Sequence, residues 1–113
     1  MTTEQKYWEL FLDDIRNPPN GSNADIVICR SSREAVTKCR EAECLPNLIM
    51  FDYHLVDADN ACNFIDWMNM QLLRGVYKLP KPFNYSTHSS SKDGRAIIHK
   101  RMSKIIQNFS QGD

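Results

Sequence analysis

The stretch ELFLDDIRNPP, residues 9–19, decides how this chain is read. An apolar run stops on two adjacent carboxylates, Asp13 and Asp14. Pro18, Pro19 and Gly21 keep the following loop, IRNPPNGSNA, out of a helix. Taken with Tyr7 and Trp8, the run YWELFL (7–12) reads as a buried strand that ends in acid. Two like charges at one strand end cost energy unless a cation or a basic side chain sits against them.

Working outward, DIVICR (25–30) is a second strand, rich in β-branched residues. Ser31 followed by Glu34 forms a capping box that opens a helix over 31–44, with Ala35, Val36, Cys39 and Ala42 at helical period. Pro46 closes that unit, and NLIMFDY (47–53) is a third strand. A helix over 60–74 places Ala61, Phe64, Ile65, Met68 and Leu72 on one side and ends near Gly75. PFNYSTH (82–88) is a fourth strand. The last element, from about Ser91 to Phe109, is a helix striped by Ile98, Met102, Ile105, Ile106 and Phe109. This β-loop-β-α-β-α-β-α order is that of an open α/β sheet. The 12 residues between the first two strands just reach the length of a parallel crossover.

At 113 residues, 42% hydrophobic and 25% charged, the chain is expected to be a single domain (1–113) that buries a core without staples. No apolar run nears the roughly 20 residues of a membrane span, and MTTEQKYWEL is not a signal peptide. Cys29, Cys39, Cys44 and Cys62 show no metal-like spacing with the histidines, so they read as reduced, mostly buried thiols. The expected compartment is the cytoplasm, that of the host if the protein is viral. The zero net charge hides a split: residues 1–66 carry 12 acids and 6 bases, whereas residues 67–113 carry 8 bases and 2 acids. The basic region 74–104 suits an anionic partner such as RNA, or serves as a solvated face balancing the acidic half.

In an open α/β sheet, ligands bind outside the carboxyl ends of the strands. There Asp13 and Asp14 end strand one, Asp52 ends strand three, and Thr87, His88 and Ser89 end strand four. If strands one and three are neighbours, three carboxylates converge. A hard divalent cation with oxygen ligands, Mg²⁺ above all, answers that demand. The metal set is therefore Asp13, Asp14 and Asp52.

Strand-Asp-Asp with a second strand ending in Asp resembles the receiver domains of two-component signalling, where paired acids hold Mg²⁺ and the later Asp accepts a phosphoryl group. The chain is more similar still to the cyclic-phosphate-processing receiver domains, whose pattern runs L-D-D-x-R-x-P-P, F-D-H-D-L-G and H-S with a glycine beyond. Here the matching residues are Leu12, Asp13, Asp14, Arg16, Pro18 and Pro19; Phe51, Asp52 and Leu55; and His88, Ser89 and Gly94. The second motif departs from the family: Tyr53, His54 and Val56 replace its His, second Asp and Gly. His54 is a candidate to supply an imidazole one position later, although strand alternation points it away from the side of Tyr53.

The resemblance implies a receiver-like (flavodoxin-like) parallel sheet of four strands in the order 2-1-3-4, lacking the family's first helix and fifth strand; right-handed crossovers select the same order. It also implies phosphoester chemistry on a nucleotide or RNA end carrying a cyclic phosphate. In that reading the catalytic set is His88, Asp52 and Asp14, with Mg²⁺ or Mn²⁺ as cofactor. His88 is the acid–base group, of the residue type that exchanges protons near neutral pH. Ser89 or Thr87 holds a phosphate oxygen, Arg16 or Lys92 supplies positive charge, and His54 completes the substrate-binding set. A phosphorylation-driven receiver lacks its lysine here, because no fifth strand carries one. A two-histidine phosphoesterase lacks its second motif, since HSS (88–90) has no counterpart at His54-Leu-Val. The competing reading is a non-catalytic binding module, viral in type, that engages RNA or a host protein through its altered edge and basic last helix.

Handedness also predicts where the helices lie. Those at 31–44 and 60–74 share one face of the sheet, because both crossovers advance in the same direction. The loop at 13–24 leaves the other face bare, and the last helix is expected to turn back across it with Ile98, Met102, Ile105 and Phe109.

Overall fold

The computed structural model describes residues 6–19 and 25–110. Gly21 and the end of the loop after Pro19, like the tail beyond Ser110, lie outside the described residues. The elements are β1 (Glu9–Leu12), β2 (Ile26–Cys29), α1 (Ser32–Ala42), β3 (Leu48–Phe51), α2 (Ala61–Leu73), β4 (Asn84–Thr87) and α3 (Lys92–Phe109). They build one four-stranded parallel sheet in the order β2-β1-β3-β4. The expected architecture holds, with β2, β3 and β4 shorter at both ends and β1 shorter at its start. Single hydrogen bonds extend the ladders beyond the strands, from the N–H of Asp13 to Cys29 O, of Asp52 to Leu12 O and of His88 to Phe51 O. No helix among the described residues is long and apolar enough to cross a membrane.

Local chemistry sets the helix starts. Ser31 Oγ accepts the N–H of Glu34, as a capping box requires. Its reciprocal bond is displaced by one residue, since the Glu34 carboxylate takes the N–H of Arg30 at 2.6 Å. Asn60 caps α2 through the N–H of Cys62, and Ser91 caps α3 through that of Gly94. At the amino end of the sheet, the buried Asn47 amide fastens three segments: Oδ1 accepts from Trp8 N–H, and Nδ2 donates to Pro82 O.

Alternation along the strands sorts the residues into two faces. Leu10, Leu12, Cys29, Ile49 and Phe51 point to one face and join Phe64, Met68, Ile98, Met102 and Ile105 in a single core. All three helices therefore pack on this face. α3 lies beside α2 and over β4, where Tyr85 and His99 are hydrogen-bonded at 2.8 Å. The expectation that α3 crosses to the opposite face is overturned. The cause lies in β4, whose helix-side residue Tyr85 offers apolar surface while Asn84 and Ser86 on the other side are polar and exposed. An Ile/Met stripe gains burial only against the former.

The opposite face is partly sealed without a helix. The His88 ring stacks on Phe11 at 4.6 Å and 6°, leaving Phe11 only 5% exposed. Tyr7 donates its hydroxyl to the otherwise buried Glu9. Cys29, Cys39 and Cys44 are buried free thiols, and burial pushes Cys29 up to about 12, consistent with inert core cysteines.

Asp59, in the turn before α2, ties the starts of two helices together. It accepts the N–H and hydroxyl of Ser32 (2.7 and 2.6 Å), the N–H of Asn60 and the side-chain amide of Asn63. Burial raises its pKa, but these hydrogen bonds outweigh burial and hold the carboxyl below the ordinary range. A depressed folded-state pKa gives stability that is complete above the unfolded value of about 3.9 and is lost as pH falls through the folded value. Asp59→Asn is therefore expected to cost about 1–3 kcal/mol at pH 7, by leaving donors unmatched. The deficit should shrink toward pH 2, as measured by urea denaturation of both proteins across that range.

Candidate active site

Three strand ends meet at the carboxyl edge, and the turn after β1 organises them. Asp13, its side chain 1% exposed, turns back so that Oδ1 accepts the N–H groups of Ile15 (2.9 Å) and Arg16 (2.7 Å). This is an Asx-type turn, which aspartate forms readily. Its other oxygen, Oδ2, meets Arg16 Nε at 3.1 Å and His88 Nε2 at 3.0 Å. Burial pushes the Asp13 carboxyl up. The backbone N–H groups of Arg16 and Ile15, with the charges of Arg16 and His88, outweigh that and hold it low.

Asp52 is buried at the end of β3, with Oδ1 on the N–H of Tyr53 and Oδ2 3.5 Å from Arg16. Asp14 is half-buried, and among the described residues no hydrogen-bond donor is placed on it. One carboxylate oxygen from each of Asp13, Asp14 and Asp52 lies within 4.8 Å of the other two, so the cluster could hold a metal ion. The all-oxygen donor set suits a hard divalent cation.

The positive group demanded by the adjacent acids is Arg16. Its half-exposed guanidinium touches Asp13 and Asp52 and donates to His88 O at 3.2 Å, spanning β1, β3 and β4. Arg30, at the end of β2, holds the loop beneath it by donating to Asp13 O, Arg16 O and Asn17 Oδ1. Arg30 is missing from the sequence-based set, because only the register of β1 against β2 reveals it. The pairing of Leu12 with Cys29 sets the next residues, Asp13 and Arg30, side by side.

Of the residues expected at the site, the fold brings Asp13, Asp14, Asp52, Arg16 and His88 together. Thr87 pairs with Phe51 in register and shares its helix-side orientation. Ser89 is buried in the turn into α3, its Oγ accepting the N–H of Ser91 and its carbonyl accepting from Arg95. Lys92 is exposed in the first turn of α3. His54 is exposed, pairs through its backbone with Asn60 and sets its ring edge-on to Tyr53 at 4.8 Å, with no hydrogen bond to the acid cluster among the described residues.

Tyr53 has a packing role. A Cβ on Gly94 would lie 2.6 Å from Tyr53 Cβ, so the glycine is what lets the first turn of α3 rest on the residue after Asp52.

A family model described as the cyclic-phosphate processing receiver domain matches residues 8–104. No curated protein and no solved structure matches the chain.

The acid cluster makes a direct prediction for thermal melts with and without Mg²⁺ or Mn²⁺. Arg16→Ala should lower the metal-free melting temperature, because two buried carboxylates lose their counter-charge, and should enlarge the rise that metal produces. Asp14→Asn should leave the metal-free value equal or higher, through relief of repulsion, and should remove the metal-dependent rise. A metal-insensitive wild type with a destabilised Asp14→Asn would identify the cluster as structural.

Proposed function

This chain belongs to the cyclic-phosphate processing receiver domain family, and from that premise we propose that it hydrolyses a cyclic phosphodiester on a nucleotide or RNA end to a monoester. The observation that carries the proposal is the contact of His88 Nε2 with Asp13 at 3.0 Å, with the Arg16 guanidinium on the same carboxylate. An ionised Asp13 can only accept, so Nε2 is the donor of this contact, and in the neutral imidazole the free lone pair then lies on Nδ1.

In the reaction, a water oxygen bonds to phosphorus and one ring P–O bond breaks. Nδ1 of His88 takes the proton of the attacking water, and the imidazolium, stabilised by Asp13, returns it to the departing ring oxygen. Arg16 offers N–H donors to the phosphoryl oxygens as charge gathers on them, and Lys92 adds positive charge at the start of α3. A divalent ion, Mg²⁺ or Mn²⁺, held by Asp13, Asp14 and Asp52, supplies further neutralisation of the phosphate when bound.

The test is an assay on nucleoside 2′,3′-cyclic phosphates and RNA ends bearing the same group. His88→Ala should lower turnover by about 10²–10⁴-fold while leaving the metal-induced rise in melting temperature nearly intact. Equal turnover by His88→Ala and wild type sinks the assignment.

A second reading, a module that binds RNA, is favoured by α3. Lys100, Arg101 and Lys104 are exposed together and border a groove of about 420 Å³ with Tyr53, Cys62 and Ile97. In that reading Lys100→Glu with Lys104→Glu weakens RNA binding at low salt. The same pair flattens the slope of log affinity against log salt by about 0.7 for each phosphate left without its lysine, as for single strands. A filter-binding titration at several salt concentrations measures both effects, and circular dichroism checks that the fold is kept.

A further inference from the structure

The helix-free face of the sheet carries two parallel rows at its carboxyl end. Register sets Phe11 beside Met50 and Met50 beside Ser86. Two residues further along the same strands stand Asp13, Asp52 and His88, so alternation returns their side chains to the same face, about 7 Å on. The outer row is the reactive one. The inner row floors a cleft of about 330 Å³, walled by Arg16 and Asn17 and closed at one end by His88. Its lining is mainly apolar, and its size is that of a small-ligand site.

We propose that this cleft is the nucleobase subsite of the same active centre, so that the substrate is a nucleoside cyclic phosphate rather than a base-free one. The inference rests on the hydrolase reading above and adds the part of the substrate that the reactive row does not touch. Arg16 and His88 belong to both the cleft and the acid cluster, so a ligand anchored there by its phosphate has its remaining atoms directed over Met50 and Ser86. One end of the depression is cationic and hydrogen-bonding and the other is apolar, with Met50 as its open surface because His88 already covers the Phe11 ring, and this is the polarity of a nucleotide. The Ser86 hydroxyl and Asn17 side chain offer polar edges at the rim. Apolar and sulfur–aromatic contact with Met50 is open to any base, so discrimination among bases is expected to be small.

The experiment is a titration of the full chain, with its methionine methyl groups labelled with ¹³C for NMR. The ligands are a nucleoside 3′-monophosphate, glycerol 3-phosphate and inorganic phosphate. The nucleotide should shift the Met50 methyl resonance by the ring current of the base, and the two base-free phosphates should not. Ser86→Tyr, which fills the cleft from an exposed position, should weaken nucleotide binding by about tenfold and leave base-free phosphate binding unchanged. Met50→Ala should weaken the nucleotide alone, to a smaller degree.

The subsite is overturned if nucleotide and base-free phosphates bind equally, or if the Met50 methyl stays still at nucleotide saturation. It is overturned also if the nucleotide does not bind. Turnover reports separately on the hydrolase reading. A protein that hydrolyses nucleoside and glycerol cyclic phosphates equally well keeps that reading and loses the subsite. One that binds the nucleotide over Met50 without turnover does the reverse.

Discussion

The carboxylate of Asp13 is the constraint on which the rest of the site depends. It is buried, and it receives two backbone N–H groups, a guanidinium nitrogen and an imidazole nitrogen. A buried charge is tolerable only when it is paired and hydrogen-bonded, and each of these partners comes at a structural cost. The two N–H groups force the turn after β1, and the turn delivers Arg16. The imidazole is held because β4 lies two strands away, in a register that brings His88 level with the end of β1. Removing any partner leaves the others arranged around an incompletely satisfied charge, so the loop, the edge strand and the acid cluster form one unit.

That unit is reachable because the helices leave it alone. With α1, α2 and α3 on one face, the buried core and the acid cluster are separated by the thickness of the sheet. Adjacent residues on one strand serve opposite purposes. Leu10 and Leu12 build the core, while Phe11 and Asp13 line the open side. Phe11 supports His88 by stacking, a use of an aromatic residue that leaves the core unaffected.

The altered second motif has a packing consequence. Tyr53 lies against the first turn of α3, where Gly94 admits it, and His54 turns out beside Asn60. Of the residues that differ from the family pattern, Tyr53 sits on the α3 side of Asp52, whereas Asp13, Arg16, Asp52 and His88, which match it, face one another.

Much of this was legible in the amino-acid sequence. The strand-and-helix order follows from apolar period and caps, because Ser31, Asn60 and Ser91 satisfy backbone donors locally. The strand order follows from the handedness of crossovers together with the receiver resemblance. The convergence of Asp13, Asp14 and Asp52 follows from both, since Asp13 and Asp52 each follow the last residue of a strand and Asp14 comes next after Asp13. What the sequence left open depended on contacts between residues far apart along the chain. The face chosen by α3 was settled by Tyr85 against Asn84 and Ser86, a comparison of two sides of a strand that an apolar stripe on the helix cannot make by itself. That Arg16 answers the acids, that Arg30 fastens the loop and that Phe11 carries His88 are consequences of register. A one-residue change of register would send each of these side chains to the other face, and only the assembled sheet defines it.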